Sequence, residues 1–307
     1  MLRIRAPLSE YTRFGLGGPA DRLIDCCQVD EFLKTYRESP DDRLVIGGGT
    51  NLLVADAGYR GTILRFTGDR MDIDGDRLTV ESGANLEDVV RAANAAGLGG
   101  LESLMRIPGW VSGAVYGNAG AYGQSIDETV EAVEIFDGAA IRWLRREECG
   151  FAYRTSIFKA HRHWVILRVR LRLCPQDPLA LIRRSQEIRA IRDAKFPPSM
   201  KCAGSIFKNC PYDQLPAAVQ ARVPESVIKG GKVPAAFFLE QVGAKGMSCG
   251  GIAVADYHAN LIYNRGDGTA AEAVALIDEL RARVLRAFGL QLEEEVQYVG
   301  FPDRKNH

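Results

Sequence analysis

The chain has 307 residues, 46% of them apolar and 25% charged, with Lys plus Arg and Asp plus Glu balanced at 39 each. That length favours about two domains of ordinary size with enough apolar material for a substantial core. The charge balance excludes the overall basic field that holds nucleic acid or anionic lipid, and leaves open a local basic pocket for a phosphorylated small molecule.

No apolar run approaches the ~18 residues of a membrane span. The opening residues carry no apolar core or small-residue cleavage site of a secretory signal. Seven cysteines, scattered and without CxxC spacing, argue for reduced thiols in a cytoplasm over a disulfide framework or a zinc site. Short β-type runs then come early, at 22–25, 44–46, 62–66 and 78–80, divided by glycine-rich turns and helical stretches. One helix is expected after Asp30. Another follows Asn85, where Leu86, Val89, Val90 and Ala93 share a face. Strands resume at 130–136 and 164–173. In the latter, Val165, Leu167, Val169, Leu171 and Leu173 alternate with a side that is basic at Arg168, Arg170 and Arg172. Pro175 and Pro178 break that strand, and the domain boundary is expected there. A helix over 179–193 follows, stopped by Pro197 and Pro198. Thr269 and Glu272 then read as a capping box, Val274, Ile277, Val284 and Phe288 as an apolar stripe, and Gly289 as the C-terminal cap. The pattern is mixed α+β.

Glycine is concentrated where chemistry is expected. Gly47, Gly48 and Gly49 follow an apolar strand and run into Thr50 and Asn51, so backbone N–H groups can converge on a phosphate with side-chain donors beside them. A tight structural turn is the rival reading. The third glycine of the dinucleotide fingerprint is absent and no helix pattern opens at once, so a nicotinamide Rossmann site is weakly supported. The segment 107–123 is built of small residues, including Gly109, Gly113, Gly117, Gly120 and Gly123. It gains little from side-chain burial and is costly to order without a ligand or close backbone packing. Two such loops suggest a long dinucleotide lying against bare backbone; an ordinary glycine-rich connection is the alternative.

The segments 12–21, 46–56 and 107–123 resemble the FAD-binding domain shared with vanillyl-alcohol-type oxidases. Three further motifs narrow the resemblance: Tyr153 and Arg154 leading to Lys159, the run from Ala203 through Ser205 to Asn209, and Glu295 before Val296. With Lys245, Gly246, His258, Asn260 and Asn264 between them, these are similar in order and approximate spacing to the UDP-N-acetylenolpyruvoylglucosamine reductase family over nearly the whole chain. The interval from Ile126 to Arg154 is short, like the branch without a substrate-capping insertion.

The resemblance implies an FAD-binding domain over 1–174, of two α+β subdomains split near residue 67. A smaller α+β substrate-binding domain follows over 175–307, its C-terminal strand carrying Glu295 near the flavin. It implies bound FAD, NADPH as co-substrate, and a UDP-sugar substrate, UDP-N-acetylglucosamine enolpyruvate, reduced in peptidoglycan precursor synthesis. No nucleic acid, membrane or metal is involved, and the oligomeric state is open, with a monomer consistent. Cofactor contacts fall on Gly47, Gly48, Gly49, Thr50, Asn51, Pro108, Gly109 and Gly113, and on Asn118, Gly120, Ala121 and Tyr122. Arg154, Ser205 and Glu295 carry the chemistry. Guanidinium holds a carboxylate in bidentate fashion, a protonated glutamic acid donates to the same oxygens, and the serine hydroxyl protonates C2. Glu293 and Glu294 compete with Glu295, and motif register alone separates them. Lys208, Asn209, His258 and Asn260 are assigned to substrate; for Lys208 a general electrostatic field and a phosphate contact are both open.

Trp110 stands where the family usually has a small residue or threonine, Ser112 where glycine is frequent, Cys210 where proline is common and Tyr263 where valine is usual. Trp110 either crowds a flavin pyrophosphate or points outward. Two rivals remain: another flavin oxidoreductase on the same domain, and a non-catalytic flavin- or nucleotide-binding protein. Covalent attachment of flavin through His or Cys, frequent in the first class, finds neither residue in these loops. The retained Arg154, Ser205 and Glu295 argue against the second.

Overall fold

A computed structural model describes residues 1–302 and 304. The chain forms two compact units, neither continuous in sequence: Met1–Arg5, Asp21–Gly48 and Gly61–Pro197 make the first, and Ala6–Ala20, Gly49–Arg60 and the residues from Pro198 onward the second.

The first unit holds an antiparallel five-stranded sheet in the order Ile141–Arg145, Val130–Phe136, Val165–Arg172, Arg77–Glu81, Met71–Asp74. Alternation along Val165–Arg172 sets its two faces: Val165, Leu167, Val169 and Leu171 are buried. The arginines of the other face meet carboxylates from the neighbouring strand. Arg168 lies opposite Glu134 and donates to it at 2.9 Å, while Arg77 and Arg172 both donate to Glu131. Hydrogen bonding from Arg77 holds the Glu131 carboxyl below its ordinary range. A second sheet, in the order Leu2–Pro7, Pro19–Cys26, Tyr59–Phe66, Arg43–Val45, has the larger part of its residues in this unit. Helix Val29–Glu38 buries Phe32, Leu33 and Tyr36 in a core shared with Phe66 and Phe136, through edge-on ring contacts of 5.7 and 5.5 Å.

Helix Leu86–Ala95 starts where the Asn85 side chain accepts the Glu87 N–H at 2.9 Å, and its expected face is buried. Helix Pro178–Lys195 is capped by Asp177 with proline at its start. This helix stays in the first unit. Asn94 donates to Ser185 at 2.7 Å, Arg106 pairs with Asp193 at 2.7 Å, and Ile188 enters the same core as Val89 and Val90. In sequence, the last break between the two compact units falls after Pro197. The first proline cluster ends a long strand, but Cys174–Pro175 continues as a short strand beside Leu98–Gly99.

The second unit is built on an antiparallel sheet in the order Lys201–Ser205, His258–Asn264, Ile252–Ala255, Ser248–Cys249. Helix Ala270–Phe288 packs Ile277, Leu280 and Val284 into a core with Phe238, Ile252 and Ile262. Thr269 and Glu272 form the expected capping box, and Gly289 ends the helix at φ 63°. Asp56 adds a second cap, accepting the Ala270 and Ala271 N–H groups at 2.8 and 2.9 Å. A parallel pair, Gln297–Val299 with Leu52–Val54, ties the end of the chain to the segment after the triple glycine. Among the described residues, no helix is long and apolar enough to cross a membrane, and no group of His, Cys, Asp and Glu could hold a metal ion.

Candidate active site

In the first unit the two glycine loops pack on each other. A Cβ added at Gly48 would lie 3.1 Å from Trp110 Cδ1 and 3.3 Å from Gly109 Cα, and one at Gly47 would lie 3.0 Å from Ser112 Oγ. A side chain at either glycine would have to push these neighbours back by a few tenths of an ångström. Gly113 is the opposite case: it is exposed and a Cβ there meets nothing within 4 Å. The Trp110 ring is half-buried beside Gly48. Arg65 stacks on it at 4.7 Å, and Asp25 holds Arg65 at 3.0 Å. The segment 107–123, read as loop throughout, contains a short helix, Val111–Tyr116. Ser112 N–H donates to Ser82 at 2.8 Å and Val111 N–H to Ala84 at 3.0 Å, so tertiary bonds supply what the glycine-rich sequence lacks.

The rest of that segment is organised by left-handed residues. Gly120–Ala121 pairs with Gln124–Ser125 through a two-residue turn, Tyr122 (φ 53°) and Gly123 (φ 87°), the geometry that matches strand twist in short hairpins. Asn118 is buried at φ 44°, donating through Nδ2 to Ala152 O at 3.0 Å. Arg154 sits at φ 54° in the tight turn closed by Ala152 and Thr155, in a conformation that normally selects glycine or asparagine. Its guanidinium donates to Gly120 O at 2.7 Å and Asn118 O at 3.3 Å, and Lys159 Nζ donates to Arg154 O at 2.7 Å. A non-glycine residue is held there against a cost of order 1–3 kcal/mol, the kind of strain that persists where a side chain is needed.

The second unit carries its own cluster. Lys201–Ser205 pairs with His258–Asn264 through an irregularity before Ser205, where Gly204 takes φ 78°. The chain then runs alongside the segment before Gln297: Glu295 N–H donates to Ile206 O at 2.7 Å, and Lys208 N–H to Glu293 O at 2.9 Å. Ser205 and Glu295, far apart in sequence, are thereby fixed a residue from each other across one backbone hydrogen bond. The three glutamates separate by partner. Glu293 pairs with Lys208; Glu294 accepts from Arg281 at 2.9 Å and from the Tyr298 hydroxyl. Burial pushes the Tyr298 phenol pKa upward, with the Glu294 hydrogen bond adding to it.

Asn260 is 3% exposed, and its amide binds Phe207 twice: Phe207 N–H donates to Oδ1 at 2.9 Å and Nδ2 donates to Phe207 O at 2.8 Å. It braces the Ser205–Asn209 turn from behind. His258 Nδ1 accepts the Asn260 N–H at 3.2 Å, and Asn209 Oδ1 accepts the Ala235 N–H at 3.3 Å. Gly49 belongs to this unit, at φ 66°, with a hypothetical Cβ only 1.8 Å from Tyr11 O. Asn51 donates to Glu295 O, a partnership the motif does not announce. The signal available in sequence was only that asparagine stands at the end of the triple-glycine run.

Residues 196–299 match the family model described as UDP-N-acetylenolpyruvoylglucosamine reductase, C-terminal domain, and residues 25–141 match an FAD binding domain. A UDP-N-acetylenolpyruvoylglucosamine reductase of Solibacter usitatus is 54% identical over 297 residues, covering 96% of this chain and 95% of its own. One from Rubrobacter xylanophilus is 37% identical, covering 96% of this chain and 94% of its own. The crystal structure of UDP-N-acetylenolpyruvylglucosamine reductase from Thermus caldophilus aligns with a TM-score of 0.77 at 32% identity, covering 97% of this chain and 98% of that one. With the motifs in place on both units and relatives matching nearly end to end, the chain belongs to the UDP-N-acetylenolpyruvoylglucosamine reductase family.

Proposed function

We propose that this protein reduces UDP-N-acetylglucosamine enolpyruvate to UDP-N-acetylmuramate with NADPH and bound FAD, in the cytoplasmic synthesis of peptidoglycan precursors. The observation that carries the reading is the juxtaposition of Ser205 and Glu295 through the Glu295 N–H to Ile206 O bond. That bond sets the backbone of Ser205 beside that of Glu295, which supports a serine proton donor and a carboxyl group acting together on a carbon next to a carboxylate.

The first unit supports FAD. Gly47 and Gly48 pack closely against Gly109, Trp110 and Ser112, while the space over Gly113 is open. Main chain is bared there for a pyrophosphate. Pro108, Gly109, Gly113, Asn118, Gly120, Ala121 and Tyr122 would line the cofactor in this unit. FAD held there would supply the hydride chemistry between NADPH and C3 of the enolpyruvyl group. Arg154 donates to the Asn118 and Gly120 carbonyls, and a guanidinium oriented in this way would meet the charge that develops on the substrate carboxylate. Ser205 gives its proton to C2, and Glu295 hydrogen-bonds the carboxylate oxygens. Lys208 and Asn209 lie beside Ser205 on the same turn and serve the sugar nucleotide. Asn260 supports that turn through Phe207.

Incubation with NADPH and the enolpyruvyl sugar nucleotide should consume both and yield a product heavier by two hydrogens in mass spectrometry. NADPH consumption without that product would reject the assignment.

A further inference from the structure

We infer that Asn51, expected from its loop to serve a cofactor phosphate, is the positioning residue of Glu295. Two bonds carry this. Asn51 Nδ2 donates to Glu295 O at 3.0 Å, and Gln297 N–H donates to Asn51 O at 2.9 Å. One asparagine thus grips the chain on both sides of Val296, which is 4% exposed at the bend before the parallel pair Gln297–Val299. The other peptide group of Glu295 is already fixed, its N–H donating to Ile206 O at 2.7 Å. Both amide groups of the glutamate are therefore tied, one to the strand end that bears Ser205 and one to Asn51.

Asn51 is itself immobile. Leu52–Val54 runs in register with Gln297–Val299, Ala55 N–H donates to Val299 O at 2.9 Å, and Asp56 caps helix Ala270–Phe288. The side-chain amide acts as an extra rung of the parallel ladder at a residue that cannot make a regular one, since the chain bends there. Asparagine suits the place because it offers a donor and a short reach together; aspartate of the same shape would set a carboxylate against the Glu295 carbonyl. Because Asn51 ends the run that begins at Gly47, the acid is anchored to the segment that the dinucleotide reading assigns to cofactor.

The inference rests on the reading of Glu295 as part of the reductase, and the test separates the two. Asn51→Asp and Asn51→Ala are purified as holoproteins and taken through the two half-reactions separately. Flavin content and bleaching by NADPH should stay within about threefold of wild type, whereas reoxidation by the enolpyruvyl substrate should slow ~10²-fold, as a displacement near 1 Å in a reacting group costs. The pH profile of reoxidation should lose the limb that Glu295→Gln also removes, and the double variant should be no slower than Glu295→Gln alone. Amide exchange at residues 295–297 should quicken at least ~10-fold. Loss of flavin with normal reoxidation of what remains would make Asn51 a cofactor ligand and overturn the inference. Equal slowing of both half-reactions, or an additive double variant, would do the same. Should wild-type protein itself fail to reoxidise, the reductase reading fails; exchange at 295–297 then still decides the clamp, with unchanged exchange refuting it.

Discussion

Replacing Asn260 by leucine keeps the volume of a buried side chain and removes both of its hydrogen bonds to Phe207, at 2.9 and 2.8 Å. The Phe207 N–H and C=O are then stranded in a core where Phe207 itself is 1% exposed. Each stranded group costs about 1–3 kcal/mol, so the segment from Ser205 to Asn209 should lose about 2–6 kcal/mol of local stability. At 1.4 kcal/mol per tenfold, its opening equilibrium should rise by at least ~30-fold. Amide exchange followed by mass spectrometry reads this directly in a peptide covering residues 203–209. Because Ser205 and Lys208 ride on that turn, kcat should fall by about 10²-fold while KM for the sugar nucleotide moves by only a few-fold. A rise in KM alone, with exchange unchanged, would mean that Asn260 touches substrate and that its two bonds to Phe207 are incidental.

Ser205→Ala should leave flavin bleaching by NADPH near normal and severely slow reoxidation by the enolpyruvyl substrate in stopped flow; equal loss in both half-reactions would remove the proton-donor role. Gly48→Ala sets a methyl 3.1 Å from Trp110, an overpacking of about 1–3 kcal/mol, so equilibrium titration should show FAD bound ~10-fold more weakly, with Trp110→Ala restoring part of it. Burial pushes the Cys149 thiol up to about 12 and the Cys210 thiol up to about 11. The reactive thiolate is therefore scarce below those values, and iodoacetamide at pH 8 should label exposed Cys27 and Cys174 first, with Cys149 and Cys210 gaining label as pH rises towards 11; early labelling of Cys149 would contradict its burial.

Periodicity found what periodicity can encode. The strand Val130–Phe136, the capped helices after Asn85 and Thr269, and the basic face of Val165–Arg172 were legible because each depends on neighbours along the chain. The compact boundary was not. Pro175 and Pro178 interrupt a strand as surely as a linker would, and it is the bonds to Ser185 and Asp193 with the burial of Ile188 that keep the following helix with the first unit. The helix Val111–Tyr116 was hidden for a related reason: tertiary bonds to Ser82 and Ala84 support it, not local propensity.

At the site, motif order singled out Arg154, Ser205 and Glu295, but residue types alone left each with an ordinary alternative. The structure adds partners. Glu293 and Glu294 are engaged by Lys208 and by Arg281, Arg154 is held in a conformation arginine rarely takes, and Asn260 faces Phe207. None of these pairings has a local spacing, since the partners stand as far apart as Asn51 and Glu295, 244 residues. Trp110 shows the same limit: a bulky substitution beside a glycine loop reads as a clash until Arg65 and Asp25 are seen to hold the indole in place.

The central claim is most directly tested by sequential mixing in an anaerobic stopped-flow spectrometer, first with NADPH and then with UDP-N-acetylglucosamine enolpyruvate. The account predicts a bound yellow flavin that bleaches on the first addition and regains its absorbance on the second. A flavin that bleaches and stays bleached would mean a different acceptor on this fold, and a protein that binds no FAD would contradict the account altogether.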